Sequence, residues 1–174
     1  MEFTSLSNLS TTRLQLRSLK LSDENEIFFL RSNETVNQYI GRKRISRKEE
    51  ALQFINKINN NFKKNEALYW AITLKGNPHL IGTVCLWNFT KDRKTAELGY
   101  ELFPEFQGKG IMDEAVKKVI ETAFQKIGVN TFEAFTHKNN LRSRALLLRN
   151  NFVHDSSRTD DDDENNIIFV LKKS

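Results

Sequence analysis

The sequence predicts a mixed α/β domain, a twisted sheet of about seven strands flanked by about four helices. Two observations carry this. Segments with period-two alternation and segments with a 3.6-residue apolar period follow one another in the order β-α-α-β-β-β-α-β-α-β-β. Strands alternate with helices only in the second half, which argues against a doubly wound parallel sheet. With 174 residues, 39% of them hydrophobic and 13 of them Phe, the chain can bury a substantial core, and 1–174 is expected to form a single domain.

Each element has a local reason. Residues 12–20 alternate apolar and polar side chains as a half-buried strand does. Ser22 reads as the cap of a helix carrying Ile27, Phe28 and Leu30, with Asp23, Glu24 and Glu26 at its positive end. A second helix is expected over 46–60, where Ser46 and Glu49 have capping-box spacing and Ala51, Leu52, Ile55 and Ile58 form a stripe. Strands over 69–75 and 80–90 flank the turn Gly76-Asn77-Pro78, and 95–103 forms the next strand. The clearest helix is 111–127, with Ile111, Ala115, Val116, Val119, Ile120, Ala123, Phe124 and Ile127 on one side and Gly128 as its stop. Then come a strand over 131–136, a helix capped by Asn139 or Asn140 and ending near Asn150, and two strands, 152–158 and 166–172, around an acidic turn.

Composition excludes several classes. The aromatic content argues against a disordered chain, and one cysteine excludes a disulfide scaffold and a Cys-cluster zinc site. Cys85 reads as a small buried apolar residue. His79, His137 and His154 lack metal spacing, so no metal is expected. No apolar run approaches the ~20 residues of a membrane span, and the first residues lack a secretory pattern. A cytoplasmic protein without membrane contact is expected. The net charge of +5 conceals an uneven distribution: without the run Asp160–Glu164 the positive excess doubles. The basic body suits nucleic acid or an acidic cofactor as partner. The cluster Arg42, Lys43, Arg44, Arg47, Lys48 is read first as a solvated helix start and second as a contact for an acidic substrate or RNA.

Chemistry concentrates in one place. Gly99, Gly108 and Gly110 are three of the seven glycines and fall within twelve residues, at a strand-loop-helix junction. Gln107-Gly108-Lys109-Gly110-Ile111 exposes backbone N–H groups at a helix start, where the dipole is positive and a phosphate fits. The same glycines also serve a plain tight turn. The loop matches neither a Walker P-loop nor a GxGxxG fingerprint.

Three segments in order resemble the Gcn5-related N-acetyltransferase (GNAT) superfamily, and more narrowly its ribosomal-protein alanine/serine N-acetyltransferase branch. They are Ala96-Glu97-Leu98-Gly99-Tyr100-Glu101-Leu102 with Pro104-Glu105-Phe106; Gln107-Gly108-Lys109-Gly110-Ile111-Met112 with Glu114-Ala115; and Asn140-Leu141-Arg142-Ser143 with Arg149-Asn150-Asn151-Phe152. Thr12 to Arg17 is similar to the branch's first strand. The sequence departs from the pattern at Met112, at Asn151 in place of Gly, and at Leu147, where many members carry a general-acid Tyr. Asn is the next-best residue for the left-handed turn at 151.

The resemblance implies a GNAT fold and a cytoplasmic transferase that moves an acetyl group from acetyl-CoA directly to an amine. It implies a cofactor cleft between the strands at 95–103 and 131–136. Leu102 and Phe103 backbone groups would bond the pantetheine, and N–H groups of Gln107, Gly108, Lys109, Gly110, Ile111 and Met112 would hold the pyrophosphate. Asn140 and Ser143 would lie by the thiol. Glu97 is the expected base and Glu101 the alternative, since alternation puts both on one face with Gly99 and Phe103; each also has the plain reading of a carboxylate paired with Arg or Lys. Ser143 either hydrogen-bonds the leaving thiolate or caps its helix. Tyr100 points the other way, into the core. The expected acceptor is a protein N-terminal α-amine such as a ribosomal protein's. The alternatives are a small amine (polyamine, amino acid or antibiotic), a nucleic-acid-binding module and a non-catalytic acyl-CoA sensor. A monomer and a homodimer fit equally.

Overall fold

The computed structural model describes residues 3–173; Met1, Glu2 and Ser174, which the single-domain expectation also covers, lie outside the described residues. Eight strands form one sheet in the order β1-β2-β3-β4-β5-β6-β8-β7. The strands are β1 (Asn8–Ser10), β2 (Leu14–Arg17), β3 (Leu68–Leu74), β4 (Leu80–Trp87), β5 (Thr95–Leu102), β6 (Thr131–His137), β7 (Val153–His154) and β8 (Asn166–Lys172). All neighbours pair antiparallel except β5 and β6, which run parallel. The helices are α1 (Glu24–Ser32), α2 (Glu34–Asn37), α3 (Lys48–Lys63), α4 (Ile111–Thr122) and α5 (Leu141–Arg149).

Burial divides the molecule into two layers over the sheet. On one face, Leu14, Leu16, Ala96 and Phe132 pack with Ala115, Val116 and Val119 of α4 and Leu146 and Leu147 of α5. On the other, Ala71 and Leu80 meet Ile27 and Leu30 of α1 and Ala51 and Ile55 of α3. The apolar stripe expected on the third helix closes the core, and on the second Ala51, Ile55 and Ile58 do so, joined by Phe54 in place of Leu52.

Differences from the sequence reading have local causes. The first helix starts one residue beyond a 3₁₀ turn, because Asp23 is spent on Arg17 and on the N–H of Lys20. The α3 start lies one position later than Ser46–Glu49 predicts. Arg47 is the cap residue, and Glu50 accepts from the Ser46 and Arg47 N–H groups, 3.0 and 2.9 Å. β1 and α2 are too short to show a period in sequence. After Thr122, residues 123–127 continue α4 as a π-turn that ends at Gly128, φ 83°.

The strand expected over 152–158 shrinks to two residues. Asp155, Asp160 and Asp163 each accept an N–H two residues on, from Ser157, Asp162 and Asn165. These local Asx turns compete with the ladder and win. The acidic run is thus a structured loop, and Asp163 lies close enough that a Cβ on Gly41 would be 3.4 Å from its Oδ2.

Asn151 adopts the left-handed conformation, φ 64°, as its place before Phe152 requires. Asn151→Val is expected to destabilise the fold by about 1–2 kcal/mol, and Asn151→Gly to stay within about 1 kcal/mol of the parent, read from urea midpoints at constant m.

Candidate active site

β5 and β6 separate along their length. They pair at Thr95–Thr131, Ala96–Phe132 and Glu97–Glu133 and no further. Each remains fully paired on its other side, β5 with β4 to Leu102 and β6 with β8 to His137. The result is a wedge opening toward the carboxyl ends of two parallel strands, where α4 and α5 begin.

Backbone parity shows what the wedge offers. The Phe103 N–H donates to the Ile81 carbonyl, 2.9 Å. Alternation then directs residues 97, 99 and 101 at β4 and turns the N–H and C=O of Leu98, Tyr100 and Leu102 toward the gap. Two expectations change. The Phe103 N–H is not available, because β4 uses it. The Leu102 carbonyl accepts from Gln107 Nε2, 3.0 Å, and the last ladder pair uses the Leu98 N–H, so the open groups are the Leu98 carbonyl, the Tyr100 N–H and C=O and the Leu102 N–H.

At the mouth, Gly108 (φ 74°) and Gly110 (φ 72°) turn the chain into α4. Gly110 is the cap residue and supplies no side chain to the helix end. The Gln107 N–H is spent on Pro104, 3.2 Å, so the free donor row starts one residue later than expected. From Gly108 to Asp113 no N–H finds an acceptor among the described residues. A row of orphan donors at a helix start, with Lys109 beside it, fits a diphosphate.

The loop is braced from two sides by residues that sequence reasoning did not single out. Arg13 donates to the Lys109 carbonyl, 3.0 Å, and pairs with Glu114, 2.6 Å. Arg142 donates to Gln107 Oε1, 2.7 Å, which joins α5 to the loop. Asn140 caps α5 by accepting from the Ser143 N–H, 3.1 Å.

Ser143 Oγ lies 2.8 Å from the Tyr100 hydroxyl. Tyr100 is partly buried against the core, as expected, yet it also brings a phenol to the helix whose usual tyrosine position holds the buried Leu147. Burial pushes the Tyr100 phenol up to about 12, against the hydrogen bond with Ser143. The clue in the sequence is parity: an even position on β5 faces α5.

The opposite face of β5 holds both carboxylates, but in different states. Glu101 is buried and paired with Arg42, 2.6 Å. Arg42 is further tied to Asn37 and to the Leu30 carbonyl. The basic cluster expected to be a solvated helix start thus sends one member inward. Glu97 has no cationic partner among the described residues and accepts from Asn88 Nδ2, 2.9 Å. Burial, then the charges of Asp160 and Glu133, push the Glu97 carboxyl up from its ordinary value, against the Asn88 bond. That is the environment of a proton acceptor working nearer to neutrality.

Cys85 opposes Gly99, where a Cβ would come within 2.9 Å of its sulfur. Burial pushes its thiol up to about 12, in keeping with an inert packing role. His137 closes β6, its ring 5.2 Å from Tyr39. No group of His, Cys, Asp and Glu among the described residues is arranged to hold a metal ion. No helix among them is long and apolar enough to cross a membrane.

Comparisons with known proteins agree with this geometry. Residues 13–153 match the acetyltransferase (GNAT) domain family. YoaA, an uncharacterised N-acetyltransferase of Bacillus subtilis (strain 168), is 30% identical over 144 residues, covering 83% of this chain and 81% of YoaA. A solved Vibrio cholerae structure, provisionally assigned as a ribosomal-protein-serine acetyltransferase, superposes with a TM-score of 0.79 at 26% identity over 95% of this chain and 97% of that one. The microcin C7 self-immunity acetyltransferase MccE, solved with acetyl-CoA and AMP, superposes at 0.81 with 20% identity over 94% of each chain. With its splayed parallel strands and orphan donor row read beside these matches, the chain belongs to the GNAT acetyltransferase family, as an N-acetyltransferase with acetyl-CoA as co-substrate.

Proposed function

We propose that the chain acetylates protein N-terminal α-amines and that Glu97 is its base. The observation that carries this reading is the unequal state of the two carboxylates on one strand face: Glu101 is neutralised by Arg42, while Glu97 is half-buried without a cation. An α-amine titrates at ~7.7–8.0 and a lysine amine at ~10.4, so roughly a tenth of α-amines are already neutral at pH 7. A carboxylate of modestly raised pKa suits that lighter task. The likeness to the Vibrio cholerae protein, at 26% identity over nearly the whole chain, supports the same acceptor class.

Acetyl-CoA supplies the activated acetyl group, with N–H groups of Gly108 to Met112 and Lys109 on its pyrophosphate. The Leu102 and Tyr100 backbone lies along its amides, and Asn140 and Ser143 near its sulfur. Glu97, directly or through one water, takes the proton from the amine as nitrogen bonds to the acyl carbon and the carbon–sulfur bond breaks. The Ser143 hydroxyl donates to the departing sulfur, and the Tyr100 hydroxyl holds the serine oxygen in place.

A small polycationic amine is the second reading, favoured by Glu97 and Asp160 at the amine end of the groove, where Glu133 is already paired with Arg158. A screen of acetyl transfer over peptides with free N-termini, blocked lysine peptides and polyamines decides between them. Turnover confined to polyamines removes the first reading. Saturating acetyl-CoA at about 100 Kd is expected to stabilise the fold by about 2.7 kcal/mol, seen as a rise of about 5–10 °C in melting temperature.

A further inference from the structure

One cation beside the groove is left without a partner. Arg31, in the last turn of α1, stacks on Phe54 with its guanidinium carbon 3.9 Å from the ring centre. Its Nε is sealed from solvent and has no acceptor. Among the described residues its side chain forms neither a hydrogen bond nor an ion pair. The nearby carboxylate, Glu101, is already taken by Arg42 at 2.6 Å. Burial, then the charge of Arg42, lower the Arg31 pKa, against Glu101 and Tyr69. A half-buried guanidinium beside a second one bears a desolvation cost that the Phe54 ring offsets only in part and that no anion compensates. An incoming anion at the two accessible Nη groups offsets part of that cost, and a carboxylate can accept from both of them.

The groove is therefore bipolar. Glu97, the carboxylate without a cation, makes one end acidic, beside Asp160 and a Glu133 that is paired with Arg158. Glu101, four residues along the same strand face, marks the end where Arg31 and Arg42 gather. At ~3.3 Å per strand residue these ends lie roughly 13 Å apart. The carboxylate of a free amino acid is only two bonds from the carbon bearing its nitrogen and cannot span that. An extended peptide with its amine at Glu97 brings its fourth or fifth residue to Arg31.

We propose that Arg31 is a receptor for an acidic side chain at the fourth or fifth position of the acceptor peptide, which gives the enzyme a preference for N-termini with Asp or Glu at those positions. This rests on the N-terminal acceptor reading above and narrows it.

The test compares two peptides that differ only by Asp or Asn at those positions, with acetyl-CoA saturating. The wild type is expected to show a KM about tenfold lower for the Asp peptide at similar kcat. Arg31→Met, which keeps the stem over Phe54, is expected to bring the two KM values within about twofold while the acetyl-CoA melting shift persists. The same contrast appears without turnover, in the affinity of the acetylated Asp and Asn peptides for the enzyme with coenzyme A bound. Equal KM values in the wild type, or discrimination surviving in Arg31→Met, overturn the proposal. If Arg31→Met loses the melting shift, the wild-type ratio alone decides. Acetylation of small amines with no peptide turned over defeats the acceptor reading itself and this proposal with it, an outcome distinct from peptides turned over without preference.

Discussion

Glu97→Gln is expected to lower kcat by about 10²–10⁴-fold while acetyl-CoA binds as before. Glutamine keeps the volume and can still meet Asn88, but it has no basic oxygen to take the amine proton. The residual rate comes from positioning, which the donor row of the loop and the wedge still provide. In the parent, kcat/KM rises with pH through the Glu97 pKa. Because burial raises that pKa, the acidic limb is expected above the ordinary carboxylate value and should disappear from the variant's profile. A second readout concerns stability. A carboxyl whose folded pKa is raised binds its proton more tightly folded than unfolded, so its contribution is lost as pH rises through the folded value. At neutral pH the ionised Glu97 is a liability, and Glu97→Gln is expected to melt no lower than the parent. A wild-type rate in this variant would remove Glu97 as the base.

Gly108→Asp is expected to weaken acetyl-CoA binding on the order of 10²-fold, measured by titration calorimetry. A side chain at 108 meets nothing within 4 Å, so the protein itself raises no steric objection. Two costs remain. One is the left-handed backbone, φ 74°, worth about 1–2 kcal/mol for a residue with a Cβ and less for Asn or Asp. The other is a negative charge placed beside donors that await a pyrophosphate. Gly108→Asn carries the first cost without the second. Its binding is expected to stay within about tenfold of the parent, so the difference between the two variants isolates the charge. Equal affinities for the Asp and Asn variants would mean that the phosphates lie elsewhere.

The elements that could be read in advance were those whose pattern is long and local. The stripe on α4 and the alternation along β5 follow from side-chain periods, and they appear where expected. The ordered segments around Gly99, Gly108 and Ser143 gave the family, and with it the opening between β5 and β6. What the sequence could not show depends on pairings between distant residues. Glu97 and Glu101 are indistinguishable by parity, and only the inward reach of Arg42, 59 positions from Glu101, separates them. Tyr100 looks like core until α5 brings Ser143 to its hydroxyl, 43 positions away. Arg31 lies in an ordinary helix end, and its isolation comes from Arg42 having taken the nearby carboxylate. The strand at 152–158 failed for the opposite reason, since the Asp side chains there satisfy the backbone locally and shorten the ladder.

The incomplete ladder between β5 and β6 has a mechanical meaning as well. Five antiparallel strands stand on one side and β6, β8 and β7 on the other, joined by a seam of three residue pairs. Each half is stiff because its own pairing is complete. The angle between them is then held less by the seam than by clasps across the helices, Asn150 to Asp113 and Arg142 to Gln107. Two rigid plates with a short hinge and side-chain latches form a compliant joint. Changing the latches adjusts the gape of the joint without breaking a strand, so its width can be tuned from the helices rather than from the sheet.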